Sequence, residues 1–367
     1  MKPAELVRKV GMALLAPAIA VIAAVIVTSL VLVVAGASVG DFWSVIFSAP
    51  SGRNWVNIIN QTSMIFLAAL AAAIGFRMNL FNIGIEGQYT LASYTAALVA
   101  GLAIFPGKLN VLVAILVAMV VGALWAGIAG VLRVTRGVSE VISTIMLNAI
   151  AGGLVGYLIS NYGEQFGQGR RTTPIPDGSR FEGWQFFGEG SGEVWTLVLL
   201  AVVAGLGFSF LINRTRFGFD LRATGMNEDA AVASGVNVKK MIVISMLLSG
   251  GIAGLIWMPA LFNGADYYGP PFQRLLGFTG LAVALLGRNR PLGIFFGAVL
   301  FAWLSEQANP LSLIADISPS IVQITQGVVV LAVVIAYEVV RRWSAAAEQR
   351  SLRTTLSSSA PSQETAK

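Results

Sequence analysis

The chain contains neither cysteine nor histidine. The first absence excludes disulfides and thiol chemistry, and the two together exclude most zinc sites. Without histidine there is no imidazole to act as a general base near neutral pH. Charge is also scarce. Asp, Glu, Lys and Arg make up 11% of the 367 residues, against about 25% in an average soluble domain. What is plentiful is apolar: 56% of the residues are hydrophobic. They cluster in runs long enough to cross a bilayer as helices, for which about 18 apolar residues suffice. The composition therefore predicts an all-α integral membrane protein.

Ten apolar segments fall at about 12–36, 57–76, 87–105, 109–132, 139–160, 194–213, 241–262, 272–287, 291–308 and 319–340. The first follows Lys2, Arg8 and Lys9 as a signal peptide would, and "AGA" resembles a cleavage site. Its 25 residues from Met12 to Gly36 exceed an apolar signal region of about 7–15, so it reads as a retained first span. Charge tests the count, because Lys and Arg favour cytoplasmic loops. With the N-terminus inside and ten alternating spans, only Arg53, Lys108, Arg170, Arg171, Arg180 and Arg274 of the 24 basic residues fall outside. An odd number of spans would scramble that bias. The expected organisation is a cytoplasmic N-terminus at 1–11, a transmembrane domain at 12–340, and a cytoplasmic tail at 341–367. The tail is rich in Ser, Ala and Gln and is expected to be disordered. An external loop at about 161–193, Gly- and Pro-rich, has room for a short hairpin. A cytoplasmic loop covers about 213–240.

Two polar interruptions stand out. The first is "FRMNLFNIGIEGQ" (76–88), set between apolar runs. As a plain cytoplasmic turn it explains Arg77 and Asn79. The polarity continues to Gln88, however, where the next span should already be apolar. Glu86 buried in hydrocarbon would cost several kcal/mol unless paired or facing water. Gly84 and Gly87 permit a break, and broken helices are tolerated where they line a cavity or pack on protein. The stretch reads as an interrupted helix with Asn79, Asn82, Glu86 and Gln88 turned inward, and it makes Glu86→Ala and Asn82→Ala transport-defective with insertion intact. The second interruption is "MPALFNGADYYGPPFQRLLG" (258–277), with Asn263, Asp266, Tyr267, Tyr268 and Gln273 among glycines and prolines.

The two interruptions lie five spans apart, hence in opposite orientation. That suits an inverted repeat of the second to fifth and the seventh to tenth spans, with a solute site at the repeat interface. The alternative is that 263–274 is an external loop. Asn148, alone in the fifth segment, either bonds between helices or lines the path. Asn and Gln both donate and accept, and Phe81, Tyr267 and Tyr268 offer faces for stacking. Trp43, Trp55, Trp184, Trp195 and Trp343 read as interfacial anchors. Gly152/Gly156, Gly250/Gly254 and Gly293/Gly297 read as helix-packing pairs.

In the cytoplasmic loop, "MNEDAAVASG" predicts one short helix. Asn227 is a good N-cap, Glu228 and Asp229 suit the positive dipole end, and Ala230, Ala231 and Ala233 favour helix. Gly235 is a good stop. Two turns are marginal alone in water. The segment is either an ordinary capped loop helix or a docking helix for a cytoplasmic partner.

The stretch "LRATGMNEDAAVASGVNVKK", from Gly225 through Ala230, Ala231 and Gly235, resembles the coupling loop of ABC-importer permeases in its simple-sugar and nucleoside form. "LFNIGIEGQ" (80–88), "VISTIMLN" (141–148) and "GFTGLAVALLGRNRPLG" (277–293) are similar to other motifs of that family, in its nucleoside branch associated with basic-membrane-lipoprotein-like binding proteins. The resemblance spans about residues 57–340. It implies a permease subunit of the cell membrane that forms the path for nucleosides or related simple sugars. It further implies a second, related but non-identical permease chain, cytoplasmic ATP-binding subunits that dock at Gly225, Asn227, Glu228, Asp229, Ala230, Ala231 and Gly235, and an extracytoplasmic substrate-binding lipoprotein. No cofactor, metal or nucleic acid is implied. The sequence has no G-x-x-x-x-G-K-[ST] phosphate loop and so cannot hydrolyse ATP that way. The alternatives are a self-contained secondary transporter or channel, which the scarcity of intramembrane carboxylates disfavours, and a membrane enzyme, for which no catalytic constellation is visible. Glu140 reads as part of a helix start.

Overall fold

A computed structural model describes residues 19, 21–314 and 317–358. The expected cytoplasmic N-terminus at 1–11 and the start of the first apolar segment lie outside these residues. In chain order the first helices are α1 (Val21–Val34), α2 (Val39–Ile46), α3 (Gly52–Arg77), α4 (Ile85–Gly101), α5 (Gly107–Arg136) and α6 (Glu140–Tyr162). An antiparallel hairpin follows, β1 (Glu164–Phe166) with β2 (Gly169–Arg171). Then come α7 (Val198–Arg214), α8 (Arg216–Met226), α9 (Glu228–Ala233), α10 (Val238–Ala253), α11 (Met258–Ala260), α12 (Leu276–Leu286), α13 (Pro291–Ala308), α14 (Leu311–Ile314) and α15 (Ser320–Ser358). Contacts divide the chain into two compact units, Val45–Asn309 and the paired ends Met1–Ser44 with Pro310–Lys367.

Each of the ten apolar segments overlaps a helix. By length and composition, six helical stretches among the described residues can cross a membrane: Gly52–Arg77, Gly107–Arg136, Glu140–Tyr162, Val238–Ala265, Pro291–Ala308 and Ser320–Val340. A seventh is the pair α7 and α8, bent by 71°. Val21–Val34 and Leu276–Leu286 are shorter apolar helices. The count that this test supports is thus six to seven, because the first described segment is short and the interruptions trim α4 and α12.

Within the larger unit α3 is the central element and is buried from Thr62 to Gly75. It packs on α10, α12, α13 and α7. Its run of small residues, from Ala68 to Ala73 around Leu70, lets neighbours approach closely. The α5–α10 contact is tighter still. Gly122 on α5 faces Gly250 and Gly254 on α10, and any Cβ there would overlap the opposite backbone. Gly137, in the left-handed region at φ 68, ends α5.

Three expectations change. Among the described residues nothing lies within 4 Å of a Cβ placed at Gly152 or Gly156, so neither packs a helix closely there. The loop at about 213–240 holds two helices: α8, capped by Thr215, whose hydroxyl accepts from the Gly218 N–H, precedes α9. And α15 runs on to Ser358, through the stretch from Ser344 expected to be disordered. The helix formers Ala345, Ala346, Ala347, Glu348, Gln349 and Arg350 explain the continuation. Residues 359–367 lie outside the described residues.

Candidate functional site

Both sequence interruptions are breaks in helices, and they meet. After α3, residues 78–84 leave the helix. Asn79 takes a left-handed conformation at φ 59, which Asn tolerates better than most residues, and it is exposed. After α11, residues Leu261–Ala265 form a π-helical turn. Asp266 and Leu275 then adopt positive φ values of 54 and 71 before α12 begins.

Glu86, in the first turn of α4, joins the two breaks. Its carboxylate accepts from the Leu275 N–H at 2.7 Å and the Gly277 N–H at 3.0 Å. These are among the free donors at the start of α12, where a negative charge is favoured. Tyr89, also on α4, donates its hydroxyl to the Gln273 carbonyl and stacks on Phe272 with centroids 5.2 Å apart. Phe272 in turn packs on Trp257 and Tyr268. Gly277 is required there, since a Cβ would collide with Glu86.

Asn82 and Gln88 are turned inward as expected, but they hold the break closed. Asn82 Nδ2 donates to Gln88 Oε1 at 3.0 Å and to Ser249 Oγ at 2.8 Å, and Gln88 Nε2 donates back to Asn82 Oδ1 at 2.8 Å. Asn82 Oδ1 also accepts from the Gly84 N–H. Both side chains are essentially inaccessible, at 0% and 1%. Asn148 on α6 takes the first of the two roles the sequence left open, a bond between elements. Its amide accepts from the Gly87 N–H at 2.8 Å and donates to the Ile83 carbonyl at 2.9 Å, and it also faces a cavity.

That cavity has a volume of about 490 Å³. Glu86, Thr90 and Asn148 line one side, Gly152 and Gly156 leave room on the α6 face, and Arg170, Phe272 and Arg274 close the rest. It combines one carboxylate, an amide, two guanidinium groups and aromatic faces. A second polar cavity of about 450 Å³ is lined by Asn57, Asn60, Gln61, Trp195, Gln273 and Glu306, among others.

Asn263, Asp266 and Tyr267 do not join Glu86. Asn263 accepts from the Leu197 N–H and donates to the Phe181 carbonyl. Asp266 pairs with Arg180 at 2.8 Å, and its carbonyl accepts from the Ile175 N–H. Tyr267 packs on Phe166 beneath Arg171. These three fasten the 161–193 loop, whereas 272–277 meets Glu86. Phe81, exposed, packs edge-on against Phe76. Sequence reasoning missed Tyr89, Phe272, Arg274 and Ser249. Tyr89 and Phe272 resemble ordinary span-end aromatics, and Ser249 carries no polar neighbour in sequence.

On the opposite end, Asn227 caps α9: its Oδ1 accepts from the Ala230 N–H at 2.9 Å. Gly235 at φ 83 terminates the turn, and the Val236 N–H returns to the Ala231 carbonyl. Ala231 is buried, while Val232 and Met226 are exposed at 59% and 88%. Gly225 lies on the Arg77–Met78 backbone, where a Cβ would overlap. Among the described residues no group of His, Cys, Asp and Glu could hold a metal.

Comparison with known proteins gives the arrangement a family. The family profile described as "Branched-chain amino acid transport system / permease component" matches residues 54–336. The chain is 33% identical to the Guanosine ABC transporter permease protein NupP of Bacillus subtilis, over 89% of this chain and 94% of that protein. It is 29% identical to the Nucleoside ABC transporter permease protein NupB of Lactococcus lactis, over 78% and 80% of the two chains. With the Ribose import permease protein RbsC of Escherichia coli K12 it shares 26% identity, over 70% and 78%. The profile match across both helix breaks and α9, together with the similarity to NupP along most of both chains, shows that the chain belongs to the family of ABC-transporter permease components.

Proposed function

We propose that the chain is the membrane-spanning permease subunit of an ATP-driven nucleoside importer. The observation that carries this reading is the similarity to a guanosine permease along 89% of the chain. Ten helices cross the cell membrane, with both termini in the cytoplasm. The subunit pairs with a second, related but non-identical permease. Separate ATP-binding subunits dock on α9, with Val232 and Met226 as apolar contacts, and an extracytoplasmic lipoprotein delivers the solute.

The 490 Å³ cavity is the part of the path this subunit contributes. Its size lies in the range of small-molecule sites, about 300–1,000 Å³. A nucleoside presents a flat base and several hydroxyl and amide groups without fixed charge. Phe272 gives the base an apolar face. The Asn148 amide and the Glu86 carboxylate supply acceptors, and Arg274 supplies donors. Asn79, Asn82, Gln88, Asn263, Asp266, Tyr267 and Gln273 serve the path indirectly, by holding the two breaks and the loop in shape. Radiolabelled guanosine and uridine uptake, measured in a strain deleted for this chain and restored by it, tests the reading. Uptake equal with and without the chain would refute it, while ribose uptake alone would move the assignment to simple sugars.

A further inference from the structure

We propose that Arg133 is a positioning residue that ties α9 to the break before α4 by sharing its guanidinium between Glu228 and Glu140. This role rests on the reading of α9 as the ATPase contact. Arg133 stands in the last turn of α5. Its Nη1 pairs with Oε2 of Glu140, the first residue of α6. Its Nη2 lies 3.8 Å from Oε1 of Glu228, the first residue of α9. The other oxygen of Glu140 accepts from the Phe81 N–H at 3.2 Å. Three polar contacts thus run from the cytoplasmic helix into the non-helical stretch that precedes Glu86.

The two carboxylates differ in surroundings. The Glu140 side chain is 5% exposed and that of Glu228 is 53% exposed. A buried carboxylate that loses its cation is strongly destabilised, whereas an exposed pair contributes little. At rest the guanidinium therefore belongs to Glu140. A protein surface laid over α9 removes water from Glu228 and strengthens the outer pair. The planar fork of Arg133 offers donors to both sides, so a shift toward Glu228 must carry Glu140 with it or release it. In the first case the Phe81 backbone follows its acceptor; in the second, Glu140 is left held by the Phe81 N–H without its cation. A steric contact acts in the same direction, since Gly225 rests on the Arg77–Met78 backbone. A simple staple across the 137–139 turn would need neither Glu228 nor Phe81.

The absence of native cysteine makes a single nitroxide label possible at Phe81→Cys, an exposed position. The full complex in lipid vesicles, with its ATP-binding subunits and binding protein, is given ATP, and label mobility and solute moved per ATP are recorded. The label is expected to respond to ATP in the otherwise unaltered chain. Glu228→Gln is expected to abolish that response and lower the transport ratio about tenfold, within the usual range of coupling between sites. Arg133→Lys keeps a cation for Glu140 but not the fork that reaches both carboxylates, and should fail likewise. Glu228→Asp keeps the negative charge and should retain the response. An unchanged response in Glu228→Gln or in Arg133→Lys, or a response lost in Glu228→Asp, overturns the proposal. Mobility is read without knowing the solute, so failure to import nucleosides would refute the substrate assignment and leave this relay standing. A complex that binds its ATPase equally well without α9 would remove the reading on which the relay rests.

Discussion

Asn82 and Glu86 have different tasks despite lying four positions apart. Asn82 is sealed in a reciprocal amide pair with Gln88 and bonded to Ser249. Asn82→Ala leaves several buried groups unpaired, at about 1–3 kcal/mol for each, and is expected to lower the melting temperature in detergent. Glu86 faces the cavity while accepting from two backbone donors of the other break. Glu86→Gln keeps one acceptor but turns an NH2 toward the other backbone donor, so it should depress solute transport while lowering the melting temperature less than Asn82→Ala does. Equal losses of stability in both variants would show that the two residues share one structural role. The sequence exposed both as misplaced polar residues, because polar and ionisable groups are costly in hydrocarbon. It did not show that Asn82 and Gln88 bond each other, since that pairing depends on how residues 78–84 leave the helix. Nor did it mark Tyr89, whose hydroxyl finds its carbonyl partner 184 positions away in the chain.

Between helices, glycine spacing was legible but its meaning was not. Gly250 and Gly254 sit against the α5 backbone at Gly122 and Ala118, while Gly152 meets nothing within 4 Å among the described residues. A bulky side chain at the first site must push two backbones apart, and overpacking typically costs about 1–3 kcal/mol. Gly250→Leu is therefore expected to reduce the folded yield of purified protein sharply. Gly152→Ala should leave that yield equal or higher, because Ala favours helix over Gly by about 1 kcal/mol. Comparable yields from both would contradict the packing described for α5 and α10. Helix α9 was readable from Asn227, its acidic first turn and Gly235, which are local signals. Helix α8 was not, because Gly218, just inside it, reads as a breaker. Gly218 is there because its backbone presses on that of Leu211 and Ile212, a tertiary reason that the local pattern does not carry.

For the chain as a unit, apolar content and the placement of basic residues carried the class of the protein without any coordinate. Six to seven long apolar helices among the described residues agree with that class. The number of spans was harder to read, because broken helices shorten the very runs that span counting relies on. The chain carries no phosphate loop and so lacks that means of using ATP. Purified alone into vesicles, it should equilibrate labelled nucleoside at most, and accumulation against a gradient by the single chain would contradict the proposed division of labour. The carboxylate of Glu86 reaches across 189 positions of sequence to the Leu275 N–H. The two helix breaks are thus joined by side chains of one held on the main chain of the other. Parting them means breaking those bonds, so the hold of this join depends on hydrogen bonding more than on the bulk of any one residue.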